Sequence, residues 1–127
     1  MDYGYKKEVN FIFTQAVKKT KSELSQEGFG TLFEIDVKET FNKKLGKDYD
    51  NYTILGACNP PFAYEALAAE KEIGLLLPCN VIVFEESGRV FVSAILPTAA
   101  MSVVENKILM EIAKKMEEKL KRAIDNV

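Results

Sequence analysis

Cys58-Asn59-Pro60 and Pro78-Cys79-Asn80 hold the only two cysteines of the chain, inside the segment Ile54–Phe84, which also carries three of its four prolines. A thiol is a potential nucleophile, and each one here has an amide beside it that can donate or accept a hydrogen bond. Cys58 closes an expected strand and directly precedes an expected helix start, where the positive end of the helix dipole favours the thiolate. Pro60 and Pro61 work against anion binding at that same point, because they remove two of the N–H groups a phosphate would use. No glycine-rich phosphate loop stands elsewhere in the sequence.

Chain geometry allows the two cysteines to meet. The helix expected between them advances about 17 Å, and the five-residue apolar loop Gly74–Pro78 spans about the same distance back when extended. On that geometry Asn59 and Asn80 would flank the pair, and Cys58, Asn59, Cys79 and Asn80 form the candidate ligand-binding or redox set. A structural role competes with this reading, since free cysteine often packs as a small apolar group and Asn next to Pro commonly caps a helix or fixes a turn. Twenty residues separate the cysteines, which does not match a CxxC redox motif.

The chain has no histidine. That excludes Ser-His-Asp and Cys-His nucleophile pairs and His-ligated zinc or haem, and two cysteines cannot build a four-Cys zinc site. No metal or catalytic residue is therefore expected, any cofactor is left unknown, and the sequence leans away from an enzyme. A net charge of −2 argues against nucleic acid as the main partner, which needs a clustered basic excess. No apolar run approaches the ~18 residues of a membrane span, and the opening residues lack the apolar core of a signal peptide. The chain reads as cytoplasmic, where thiols stay reduced. Glu65, Glu70 and Glu72, the tyrosines Tyr49, Tyr52 and Tyr64, and the KKTK run at Lys18–Lys21 are weaker candidates, most simply exposed helix faces or half-buried aromatics.

At 127 residues the chain is about the size of one domain, and no linker or repeat divides residues 1–127. Strand patterns cover Tyr5–Val9, Thr31–Val37 (with Phe33 and Ile35 on a buried face), Tyr52–Cys58, Asn80–Glu85 and Arg89–Ile95. The last two are joined through Ser87-Gly88, a hairpin signal. Helices are expected at Thr14–Glu27, closed by Gly28; at Lys38–Leu45, closed by Gly46; at Pro61–Glu72, ending at Gly74; and at Ala99–Asp125. In the last helix Val104, Ile108, Ile112, Met116, Leu120 and Ile124 recur every fourth residue, a stripe for the sheet or for a partner helix. The result is an α+β layer: one sheet of about five strands, at least partly antiparallel, helices mainly on one face, and a long C-terminal helix.

The segment ILGACNPPFAYEALAAEKEIGLLLPCNVIVFE resembles the signature of the bacterial and archaeal domain-of-unknown-function family three hundred and two. EGFGTLFEIDVKETFNKKLG and VSAILPTAAMSVVENKILMEIAKKMEEKL extend the resemblance over most of the chain. One departure is Leu96, where the family often has an acidic residue before the proline. The resemblance implies an α+β fold and brings no reaction, substrate, cofactor or catalytic residue.

Three functions follow as expectations. The first is non-enzymatic binding of a small molecule or protein partner by a homodimer, with the cysteine–asparagine pair at the pocket. The second is a thiol function, sulfur handling or redox sensing, with Cys58 reactive and Cys79 resolving. The third is an assembly role through the final helix.

Overall fold

Strands and helices alternate along the chain, and glycines mark several of the joints. The structure is a computed structural model that describes residues 2–127. Its elements are β1 (Gly4–Val9), α1 (Phe13–Gln26), β2 (Gly30–Asp36), α2 (Val37–Leu45), β3 (Tyr52–Cys58), α3 (Pro60–Ala69), a 3₁₀ segment (Lys71–Leu76), β4 (Cys79–Glu86), β5 (Arg89–Ile95), α4 (Pro97–Ala100), a short 3₁₀ turn (Met101–Val103) and α5 (Lys107–Asp125). The strands form one sheet in the order β1-β5-β4-β3-β2, and every neighbouring pair is antiparallel. This is the expected α+β architecture.

Ser87 and Gly88 both take positive φ, and Glu86 faces Arg89 in the register. The β4–β5 connection is thus a two-residue hairpin whose left-handed turn matches the strand twist.

Strand alternation sorts the side chains onto two faces. Leu55 and Ala57 on β3, Cys79, Val81 and Val83 on β4, and Val90, Val92 and Ala94 on β5 are buried under the helices. Leu24 of α1, Ala66 of α3, and Leu109, Ile112, Ala113, Met116, Leu120 and Ile124 of α5 complete that core. On the opposite face the rings of Tyr52, Phe84 and Phe91 form a row, with centroids 5.6 and 5.3 Å apart. Helix α2 packs there, beside Ile35, Tyr52 and Ile54.

Three expectations change. The final helix does not run unbroken from Ala99: four residues of α4, a 3₁₀ turn and an extended Val104 precede α5. Asn106 starts α5 because its Oδ1 accepts from Leu109 N–H at 2.9 Å, a side-chain cap that a periodic stripe cannot reveal. Ile108 is consequently exposed, since a strict four-residue spacing drifts around a 3.6-residue turn. The third helix stops at Ala69 and not at Gly74, because Glu70 is extended and Asn106 Nδ2 donates to the Ala69 carbonyl.

The third change concerns β2. Phe33 and Ile35 are 38% and 41% exposed, since β2 is an edge strand and its alternating apolar residues lie on the face that the α1–α3–α5 layer leaves open. A bulge at Leu32, between Thr31 and Phe33 in the register, also bends this edge.

Candidate functional site

The register of β3 and β4 settles where the cysteines stand. Ala57 faces Cys79 directly, so Cys58 is one residue along and one strand over from Cys79. The chain does return as its length allows: α3 leads away, and the 3₁₀ segment and Leu77-Pro78, joined by a cis peptide bond, bring it back. Both thiols are free.

Both open onto one cavity of about 250 Å³ at this end of the sheet. Ala63 and Leu67 of α3 form one wall, Leu77 and Pro78 another, and Met116 of α5 closes the inner side. Leu32, 65% exposed on the bulge of β2, sits at the rim. The lining is almost wholly apolar, and its only side-chain amide is that of Asn59.

Burial treats the two thiols differently. Cys79 is buried, and desolvation, with a smaller contribution from the neighbouring Cys58, pushes its pKa up to about 12. It is a neutral thiol at physiological pH, without the electropositive surroundings that make a cysteine reactive. Cys58 is half-buried and is the thiol within reach of solvent.

Asn59 occupies the N-cap position of α3 but its side chain makes no cap hydrogen bond. Its Nδ2 instead donates to the Glu27 carbonyl at 3.3 Å, at the end of α1. Gly28 makes room for this: at φ +86° it takes the left-handed region, and a Cβ there would come within 3.0 Å of that Nδ2. Glu27 is held from its other end by Arg122 of α5, at 3.0 Å, and the guanidinium lowers its carboxyl pKa. Asn59 therefore ties the cavity's floor to α1 and, through Glu27, to α5.

Asn80 is not part of the site. It is exposed and faces Gly56 on the opposite side of the sheet from Cys79, because consecutive residues of a strand point to opposite faces. Of the four candidates the structure gathers Cys58, Asn59 and Cys79. Leu32 and Met116, which also line the cavity, lie far away in the sequence and carry no local signal of it. Among the described residues no group of three or more His, Cys, Asp or Glu side chains is placed to hold a metal, and no helix is long and apolar enough to cross a membrane.

Comparison with known proteins agrees with this architecture. The chain matches no curated protein. It is similar to the crystal structure of an uncharacterized conserved protein, DUF302, from Bacillus stearothermophilus, with a TM-score of 0.94, 29% identity, and coverage of 99% of this chain and 98% of that one. The family described as Domain of unknown function DUF302 matches residues 5–127. With a signature spanning nearly its whole length and that fold, this chain belongs to the DUF302 family.

Proposed function

We propose that this domain binds a small, mainly apolar molecule in the cavity between β3, β4, α3 and α5, without transforming it. The cavity itself carries the reading: an apolar recess with a single amide and one reachable thiol has the composition of a ligand pocket, in which apolar walls supply affinity and a few polar groups fix orientation. Its volume, near the low end for such pockets, sets the size of the ligand. The protonated Cys79 serves as wall, and Cys58 and Asn59 are the polar contacts.

On this reading the protein works in the cytoplasm as a homodimer, and nucleic acid is not its partner. Two free thiols fit a reducing compartment. The dimer is supported by the uncovered sheet face, where Phe33, Ile35 and the Tyr52–Phe84–Phe91 row present apolar surface. The buried stripe of α5 does not support assembly through that helix.

The thiol reading keeps one observation in its favour, the diagonal placement of Cys58 and Cys79. The raised pKa of Cys79 weighs against it, since a resolving cysteine acts as thiolate.

Native mass spectrometry with benzyl alcohol and short straight-chain alcohols tests the binding reading. One molecule should bind per chain in wild type and none in Ala63→Phe, which fills the cavity from α3. Equal binding by both proteins would overturn it.

A further inference from the structure

Sulfur reaches the cavity from three separate elements: Cys58 from the end of β3, Cys79 from the start of β4 and Met116 from α5. In the antiparallel register Cys58 stands one residue beyond Ala57, which faces Cys79, and Met116 is buried on α5. No carboxylate lines this cavity and the chain has no histidine. Magnesium and calcium, which need several oxygen ligands, find no set of donors here, and zinc finds fewer than its usual four.

The donor set is soft throughout, and thiolate with thioether is the combination that selects Cu(I). We propose that this cavity is a Cu(I) site, with Cys58 and Cys79 as thiol-derived ligands and the Met116 thioether as the third donor. Cu(I) is satisfied by two or three sulfur ligands, so the set is complete without water or a side chain from elsewhere. The half-buried Cys58 and the exposed rim at Leu32 give the ion its way in from solvent.

Binding forms copper–sulfur bonds and moves no electron. Each ligating thiol exchanges its proton for the ion and releases that proton to solvent, so affinity rises with pH. The proposal rests on the same cavity as the binding reading and needs it to open to solvent; it does not need an organic occupant.

The test is anaerobic titration of the reduced full chain with Cu(I) against the chromophoric chelator bicinchoninate. One Cu(I) per chain should bind, with a sulfur-to-copper charge-transfer band in the near ultraviolet. Cys58→Ser and Met116→Leu should each weaken it at least ~10-fold, the loss that even an outer-shell partner causes. Met116→Leu conserves volume, so an unchanged urea midpoint separates loss of a ligand from loss of fold. Wild-type affinity no higher than that of Cys58→Ser, or full affinity in Met116→Leu, overturns the assignment. A protein that binds benzyl alcohol but fails this titration loses the copper site and keeps the organic-ligand reading; one that takes up Cu(I) but no alcohol does the reverse.

Discussion

Cys79 faces Ala57 across the β3–β4 pair, which leaves Cys58 diagonal to it, and the two thiols share one cavity while differing in burial. This relationship joins the covalent sequence to the chemistry of the site: two residues twenty-one positions apart become neighbours because α3 and the 3₁₀ segment leave from and return to the same end of the sheet. It also divides their roles, since one thiol meets solvent and the other packs against the core.

That division predicts alkylation in two steps. Iodoacetamide should modify Cys58 in the native protein and reach Cys79 only after unfolding, as read by mass spectrometry of peptides with and without denaturant. Equal native rates at both residues would contradict the burial argument.

Alkaline pH should expose the cost of ionising Cys79. Its folded pKa, about 12, lies above the ordinary value of 9.0, so the contribution to stability is complete below about pH 9. Between these values the unfolded chain gives up the proton and the native state keeps it, so stability falls as pH rises. The loss reaches about 2 kcal/mol half-way through the window. Cys79→Ala lacks this component, and its urea midpoint should fall less than that of wild type between pH 7 and an alkaline pH inside that window.

Asn59→Ala should lower stability by about 1–2 kcal/mol, because it removes a hydrogen bond and leaves the Glu27 carbonyl short of a donor. Urea denaturation measures the cost. The same variant should bind benzyl alcohol more weakly, since α3 loses its tie to α1 at the cavity floor.

Gly56 gives the Phe33 ring its place: a Cβ at position 56 would run into that ring. Phe33 is partly exposed and can swing outward, so Gly56→Ala should cost only about 1 kcal/mol, near the low end for overpacking. In a Phe33→Ala background the same substitution should cost almost nothing, which a double-mutant cycle reads directly.

Much of this was legible beforehand because local rules acted alone. Tyr52–Cys58 reads as a strand from its own pattern, Gly46 closes α2, and Ser87-Gly88 turns the hairpin, each through short-range backbone preferences. The nearness of Cys58 and Cys79 followed from counting helix rise against loop reach. What stayed hidden depends on tertiary partners. Nothing near Asn106 announces that its amide serves both α5 and the end of α3. The choice of Asn59 over Asn80 turned on which face of the sheet each one meets. Phe33 and Ile35 alternate as a half-buried strand does, yet their face lies open because the α1–α3–α5 layer covers the other side.

Methyl NMR of Met116 and the leucines, with benzyl alcohol added stepwise, tests the central claim most directly. Saturable shifts at Met116, Leu67 and Leu77, absent in Ala63→Phe, are the predicted result. Saturable shifts confined to residues outside this cavity, or none at all, would contradict the claim that it is a ligand site.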